Sequence, residues 1–321
     1  MNNTIHISHH FSILKMLLIS MLPCILLTSC FTGIESTKKI SLSREDKKAL
    51  EPTPEELFFP GIEGEILEIW EPGKEFLATD DKAILIFNRE AIPSGMTEEP
   101  LGGKILKYNG VSSKMDVGGT IVTEIMFNDG PRIYYYNTGK TFDDAIKHIT
   151  SDQIPMMIDL VLIKKTKDKL LGQKLWTRSP LWYDEKGERI DGQRFVPITI
   201  IDVTPGDIIF PIRLQIEDKD GHNAWMFMNY GNSGTESRSF HNLFYLEDPK
   251  RNFPKIDDDI WQLICRGKIR QGMTKEECKL SLGNPKTVNS GHDYSQTLDI
   301  WSYENGAVLW FEDGVLTRFR N

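Results

Sequence analysis

The chain has 321 residues, a formal net charge of −8 and 40% hydrophobic residues. This length is enough for about two or three small domains. The acidic excess argues against binding to nucleic acid and against a basic patch that would hold an anionic membrane face. No apolar run in the sequence reaches the ~20 residues that a membrane-spanning helix needs.

The first thirty residues have the pattern of a secretory signal that ends in a lipidation site. Met16–Leu27 is an almost wholly apolar run of 12 residues, and Lys15 just before it is the only Lys or Arg of residues 1–15. The run is too short to cross a bilayer but fits the apolar region of a signal peptide. An apolar residue, two small residues and a cysteine follow as Leu27-Thr28-Ser29-Cys30, which resembles the lipobox of bacterial lipoproteins. Residues 1–29 are therefore predicted to be a lipoprotein signal peptide.

The lipobox resemblance implies a lipid anchor on Cys30. In bacterial lipoproteins this thiol receives a diacylglycerol, the leader is cut just before it, and a further acyl chain such as palmitate follows. Several acyl chains hold a protein stably at a bilayer, whereas one chain is marginal. Phe31 stands where an aspartate would favour the inner membrane, so we expect a place in the bacterial envelope, on the outer membrane facing the periplasm. The alternative is a short buried helix with an incidental cysteine.

Residues 30–57 are predicted to be the lipid anchor followed by a flexible tether. They are rich in Ser, Thr, Lys, Glu and Pro and carry few large apolar side chains. A flexible segment of this length spans ~30 Å on average. Cleavage before Cys30 would leave 292 residues with a net charge of about −9.

Residues 58–150 and 151–252 are predicted to be two β-domains. Short apolar stretches alternate with Gly, Asn and Asp turns, which is typical of hairpin-linked strands. One helix is predicted at Thr141–Ile149, where acidic residues occupy the first turn. The predicted strands are Ala83–Asn88, Lys104–Tyr108, Thr120–Phe127, Arg132–Tyr136, Val196–Val203, Ile209–Ile216 and Ala224–Met228.

An internal repeat relates residues 101–139 to residues 191–231. Gly103 aligns with Gly192, and both copies close on an Asn-x-Gly triplet. Five or so short strands in each copy fit a small barrel of the SH3-like type. Two tandem barrels and one larger β-domain are both compatible with this pattern. The fold class expected is mainly β, with an α+β domain at the C-terminal end.

Residues 253–321 change character and predict two helices followed by three strands. Thr274 and Glu277 form a capping box at the start of the second helix, and Gly283 can end it. Asn305-Gly306 and Asp313-Gly314 predict tight hairpin turns between strands Thr297–Tyr303, Ala307–Phe311 and Val315–Phe319.

Four segments of this region form a recognisable pattern: Lys268–Glu277, Leu282–Pro285, Trp301–Tyr303 and Leu309–Leu316. They read KIRQGMTKEE, LGNP, WSY and LWFEDGVL. The pattern resembles the SmpA/OmlA family, the small lipoprotein of the outer-membrane β-barrel assembly machinery. The resemblance implies a helix hairpin on a three-stranded antiparallel sheet. Members of that family are short and begin near their lipid, whereas here residues 58–252 intervene.

Candidates for chemistry are few. Cys265 and Cys278 lie on the two predicted helices, where either a disulfide or two buried free thiols can form. Tyr134 and Tyr136 share one face of a predicted strand and are a candidate ligand platform, with ordinary strand packing as the alternative.

No metal site and no cofactor are predicted. The histidines of the mature chain show no metal-ligand spacing; they are His148, His222, His241 and His292. Asp218-Lys219-Asp220-Gly221 echoes a calcium loop but lacks the later ligands, so it predicts a hairpin turn.

The leading functional hypothesis is a non-enzymatic envelope lipoprotein that binds envelope proteins or peptidoglycan through its β-domains. An accessory role in outer-membrane protein assembly or envelope integrity is the first alternative, and it depends on the C-terminal resemblance. A hydrolase with an unrecognised site is the second.

Replacing the lipidated residue tests the location. We expect Cys30→Ser to keep the leader and to move the protein out of the membrane fraction, because no thiol remains to receive lipid. Mass spectrometry of the N-terminal peptide and membrane fractionation measure both effects. An unmodified thiol at position 30 of the native protein, or an intact leader ahead of it, would contradict the expectation.

Overall fold

The computed structural model describes residues 51–88, 100–130, 132–231, 238–293 and 296–320. The predicted leader, Cys30 and most of the tether lie outside these residues. Pro52–Asn321 is one compact unit, and the fold is mainly β, as predicted, with antiparallel sheets of five, seven and four strands. None of the described helices is both long enough and apolar enough to span a bilayer.

The first sheet has the strand order β4-β3-β2-β1-β5. Its strands are β1 (Glu75–Ala78), β2 (Ile105–Met115), β3 (Ile121–Asn128), β4 (Ile133–Asn137) and β5 (Met157–Asp159). Helix α1 (Pro54–Phe58) precedes the sheet, and helix α2 (Phe142–His148) lies between β4 and β5. The helix predicted at Thr141–Ile149 is thus confirmed.

The second sheet has the order β12-β6-β9-β10-β11-β7-β8. Its strands are β6 (Lys174–Thr177), β7 (Leu181–Tyr183), β8 (Arg189–Asp191), β9 (Pro197–Pro205), β10 (Ile212–Asp218), β11 (Asn223–Met228) and β12 (Phe244–Tyr245). Helix α3 (Leu160–Leu170) precedes this sheet and helix α4 (Phe240–Leu243) leads into β12. Ile212, Leu214 and Ile216 of β10 are fully buried, so alternate residues face the core, as a period of two requires.

The two sheets share one strand order. The order β4-β3-β2-β1-β5 recurs as β11-β10-β9-β6-β12, and β7 and β8 extend the second sheet beyond β11. Phe87 forms an isolated bridge to Tyr136 of β4, in the place where β7 pairs with β11. The sequence repeat at 101–139 and 191–231 covers β2–β4 and β9–β11. The repeat is therefore visible as a repeated arrangement of strands.

Three features of this region differ from the sequence predictions. The predicted strand Ala83–Asn88 is largely a 3₁₀ helix, Asp81–Ile86, because the Asp80 carboxylate accepts the N–H of Lys82 and caps it. The helix α3 was not predicted; Leu162, Thr166 and Leu170 are buried at helical spacing within a lysine-rich segment. The strand β5 belongs to the first sheet, which therefore extends past the predicted boundary at residue 150.

The C-terminal part contains α5 (Asp258–Cys265), α6 (Lys275–Leu282) and a four-stranded sheet. The capping box of α6 is present, and Gly283 ends the helix at a φ of 87°. The sheet has four strands and not the three predicted: β13 (Thr287–Asp293), β14 (Gln296–Ser302), β15 (Val308–Glu312) and β16 (Val315–Arg320). β13 was missed because it is a polar edge strand that pairs with β14 through backbone bonds, so its sequence has no apolar alternation.

One residue of the second sheet region enters the C-terminal core. Phe195 is buried, and its ring lies 5.4 Å from that of Trp261 in α5. Its φ of 58° places a non-glycine residue in the left-handed region, a conformation that costs about 1–3 kcal/mol and persists only where surrounding contacts hold it. The packing of Phe195 therefore joins the second sheet to the C-terminal unit.

A buried charge network joins the first sheet to α3. Lys74 Nζ lies 2.8 Å from Asp159 Oδ2 and 3.0 Å from Glu65 Oε2. The Ser151 hydroxyl donates to Asp159 Oδ2 at 2.5 Å, and the N–H of Val161 donates to Asp159 Oδ1 at 2.8 Å. The Asp159 side chain is fully buried. Asp159 is thus the last residue of β5, and its carboxylate both caps α3 and neutralises a buried lysine.

Removing the Asp159 charge should destabilise the protein strongly. We expect Asp159→Asn to lower the free energy of unfolding by about 3 kcal/mol, because it leaves the Lys74 ammonium buried with one partner fewer. The matched control is Asp168→Asn, which breaks an exposed pair with Lys164 and should change stability by less than about 0.5 kcal/mol. Urea unfolding measures both, and equal effects would contradict the structural role of the buried pair.

Candidate functional site

A polar cleft of about 640 Å³ lies between strand β8 and the C-terminal helices. One wall comes from β8 and the loop after it, and the other from the α5–α6 connection. Its charged lining residues are Arg189, Asp191, Arg194, Arg266 and Lys268, and Ile190 lies between the first two.

Close packing fixes the wall that follows β8. A Cβ at Gly192 would lie 2.4 Å from the carbonyl oxygen of Pro180 and 2.6 Å from Cγ of Trp182. Only glycine therefore fits where the chain crosses this tryptophan. The chain then continues to Arg194, which contacts the opposite wall.

Arg194 connects the two walls. Its backbone N–H donates to the carbonyl of Cys265 at 2.9 Å, and its guanidinium donates to the carbonyl of Ser281 at 2.9 Å. Burial lowers the pKa of Arg194, yet an arginine remains protonated throughout the physiological range. The cleft therefore contains a half-buried, permanent positive charge.

The cleft is positively charged although the chain is acidic. Arg189, Arg266 and Lys268 add three exposed cations to Arg194, and Asp191 is the one acidic side chain among the described lining residues. Within the described part of the chain, no carboxylate lies at ion-pair distance from any of the four cations. Their positive potential is thus available to a ligand.

A second cavity of about 530 Å³ lies on the other side of Arg194. The Arg178 guanidinium stacks on the ring of Tyr245 there, at 4.0 Å from its centroid. The Nε of Arg178 is buried and has no partner among the described residues. Arg194 therefore separates two neighbouring cavities that each contain an arginine.

The tyrosines predicted as a ligand platform face the core. Tyr134 is 4% exposed, and its hydroxyl donates to Asp129 at 2.9 Å. Burial, together with Asp129, raises the pKa of Tyr134 to about 12. Tyr136 is half-buried, packs against the same core and bridges Phe87. The strand alternates faces, but Tyr134 and Tyr136 are its inward pair, so they form strand packing and not an exposed platform.

The two predicted helix cysteines are buried free thiols in this structure. Cys265 is 2% exposed and Cys278 is fully buried, both in the C-terminal core. Burial raises the pKa of Cys265 to about 11 and that of Cys278 to about 12. Such thiols are poor nucleophiles because very little thiolate forms near neutral pH.

The described histidines lie apart from the cleft. His148 contacts Asp144 in the exposed last turn of α2. His222 lies beside Asp218 and Asp220, but Asp218 Oδ1 accepts the N–H groups of Asp220 and His222. The hairpin turn predicted there is confirmed. The side chain of His292 falls outside the described residues.

A serine and a histidine meet at the start of α4. Ser239 Oγ lies 3.1 Å from His241 Nδ1, and Glu56 Oε1 lies 3.9 Å from the same nitrogen. A catalytic triad needs the carboxylate and the serine on opposite ring nitrogens. Ser239 is also 4% exposed and receives a bond from the amide of Asn242. The arrangement therefore gives little support to a hydrolase.

The cleft itself was not predicted from the sequence. Its cations come from segments far apart in the chain, and only the folded connection through Arg194 brings them together. Lys268 was part of the motif that carries the family resemblance, but no charge pattern marked it as a binding residue.

Comparison with known proteins supplies no relative. No family model matches the chain, and searches of curated proteins and of solved structures found no similar protein.

Alkylation tests the state of the two thiols. We expect iodoacetamide near pH 8 to leave Cys265 and Cys278 unmodified in the folded protein and to modify both in guanidinium chloride, because burial shields both thiols and raises their pKa values. Peptide mass spectrometry reads each position separately. A linked peptide pair that separates only after reduction would show a disulfide and contradict this expectation.

Proposed function

We propose that this chain is a lipid-anchored, non-enzymatic protein of the bacterial envelope that binds other envelope components through its β-units. The observation that carries the proposal is the positively charged cleft beside β8, in a chain whose overall charge is negative. A local charge opposite to that of the whole chain favours a specific anionic ligand over non-specific attraction.

The repeated strand order supports a role in binding. We propose that residues 58–252 contain two SH3-like units, since β5 pairs with β1 beside the β2–β4 meander, and β12 pairs with β6 beside the β9–β11 meander. Small barrels of this type bind peptide segments in surface grooves. In the second unit the additional β7–β8 hairpin provides such a surface.

The membrane location is proposed from the sequence around Cys30. An apolar segment that ends in Leu27-Thr28-Ser29-Cys30 supports acylation of the cysteine, and the tether would let the folded part stand away from the bilayer. The outer membrane, facing the periplasm, is the location this sequence favours.

The C-terminal unit has a supporting part in this proposal. Its two helices followed by an antiparallel sheet agree with the plan of the SmpA/OmlA family, apart from the additional strand β13. That order favours an accessory role in outer-membrane protein assembly as the second candidate function. In this chain the same unit forms one wall of the cleft.

Crosslinking in living cells tests the proposed binding. A photoreactive residue at Ile190 should form adducts with another envelope component, because this side chain is 38% exposed at the cleft. The same photoreactive residue at Glu312 is the matched control, because this exposed position lies at the end of β15 opposite the lining residue Asn305. Tyr135, which points outward from β4, samples the first β-unit.

Adducts at Ile190 or Tyr135 that are missing at Glu312 would support binding through the β-units. Sedimentation with purified peptidoglycan distinguishes a wall partner from a protein partner. An envelope in which none of the β-unit positions forms an adduct, and in which the protein does not sediment with peptidoglycan, would reject the proposal.

A further inference from the structure

The strand β8 is an unpaired edge of the seven-stranded sheet. It pairs with β7 on one side, through Leu181↔Asp191, Trp182↔Ile190 and Tyr183↔Arg189. On its other side the described residues supply no strand. All three residues of β8 are exposed, and all three line the cleft. An edge of this kind presents backbone N–H and C=O groups to an incoming extended chain.

The charges around this edge determine which net charge an incoming chain should carry. Four cations line the cleft against one acid, Asp191. Short charged edges normally prevent strands from pairing with unrelated proteins. Here the same charges repel a basic segment and attract an acidic one, because opposite charges across an interface favour association and like charges oppose it.

The chemistry of the lining points to carboxylates on a peptide. Guanidinium groups bind planar carboxylates through two parallel hydrogen bonds. None of the described lining residues is aromatic, so the cleft lacks the stacking surfaces with which proteins bind bases. A volume of about 640 Å³ accommodates several residues of an extended chain.

A second copy of this chain fits the cleft less well. Antiparallel pairing of β8 with its own copy would place Arg189 opposite Asp191 of the other molecule, which is favourable. That arrangement adds no acidic group for Arg194, Arg266 or Lys268, and it would bring the two sets of cations together.

We propose that an acidic, extended segment of another envelope protein adds as a strand to the free edge of β8, with its carboxylates bound by Arg189, Arg194, Arg266 and Lys268. This inference rests on the proposed binding function and specifies its ligand. Backbone pairing along Arg189–Asp191 provides the orientation, and the cations provide the preference for acidic side chains. Arg194 is held in place by its bonds to the carbonyls of Cys265 and Ser281.

Synthetic peptides test both parts of the proposal on the full chain in detergent. The probe is a fluorescent peptide of alternating Glu and Thr, about six residues long, which spans ~20 Å as a strand. A Gln-Thr peptide removes the charge, and the Glu-Thr peptide N-methylated at every second amide removes backbone pairing while keeping the charge. Fluorescence anisotropy at low and high salt measures affinity.

We expect the acidic peptide to bind at least about tenfold more tightly than either altered peptide and to weaken as salt rises. The double variant Arg266→Glu/Lys268→Glu should lose this preference. Both side chains are exposed, and the backbone bonds of Lys268 to Leu263 and Ser281 do not involve its ammonium group. Thermal unfolding checks that the variant is folded.

The matched control reverses two exposed cations outside the cleft, Arg251→Glu/Lys147→Glu. It should bind the acidic peptide like the unaltered protein. Equal loss in both double variants would show that only the net charge matters, and it would overturn the proposed site.

Three further results would overturn the inference. N-methylated peptide that binds as tightly as the unmethylated one excludes strand addition. Inorganic phosphate or phosphatidylglycerol vesicles that bind the cleft as well as the acidic peptide does would identify a small anion or a lipid surface as the ligand. Crosslinks from Ile190 to a second copy of this chain would identify a dimer edge.

The crosslinking positions separate this inference from the broader proposal. Adducts at Tyr135 with none at Ile190, together with no binding of the acidic peptide, would reject the β8 site alone. The absence of adducts at every β-unit position, together with no sedimentation with peptidoglycan, would reject the binding function itself.

Discussion

The arrangement of the β-units depends on the buried pair between Lys74 and Asp159. Asp159 is the last residue of β5 in the first sheet and the cap of α3, and α3 contributes Ile163 and Leu170 to the core of the second sheet. Two charges removed from water cost several kcal/mol unless each is well paired. The bonds from Ser151 and Val161 complete the carboxylate's requirements. Asp159 therefore fixes the transition from one sheet to the next, because it pairs with Lys74 beside β1 and caps α3.

A second connection, through Arg194 and Phe195, determines where the cleft lies. Phe195 packs into the C-terminal core, while the guanidinium of Arg194 reaches the end of α6. These neighbouring residues hold β8 at a set distance from the α5–α6 connection. The positive charge of the cleft follows from this placement, because Arg189 and Lys268 are far apart in sequence and meet only across the gap.

Local sequence signals predicted those elements whose side chains alternate or cap in a regular way. The capping box at Thr274 and the hairpin at Asp218 appear where the sequence placed them. The signals failed where contacts with the rest of the chain determine the structure. β13 is polar because it is an edge strand. The Ala83 segment is a 3₁₀ helix because Asp80 caps it. The tyrosine pattern of β4 predicted alternation but not its direction, which the pairing of Tyr134 with Phe127 sets. The cleft could not be predicted, since its cations come from two separate segments, 189–194 and 266–268. The packing of Phe195 helps to join them, and no local signal indicates the backbone conformation of this residue.

The β7–β8 hairpin belongs to only one of the two repeated strand arrangements. In the first arrangement a lone bridge at Phe87 stands in its place, and the corresponding end of that sheet has no further strand among the described residues. After a duplication, one copy can keep the ancestral framework while its sibling acquires an insertion at the margin. The two halves of this protein would then diverge by different kinds of substitution. The framework copy would change through compensating substitutions among apolar residues. The copy with the insertion would change through the charges on its surface. In orthologues aligned on the strand order, substitutions in the framework copy would conserve side-chain volume. Substitutions in the copy with the insertion would conserve charge.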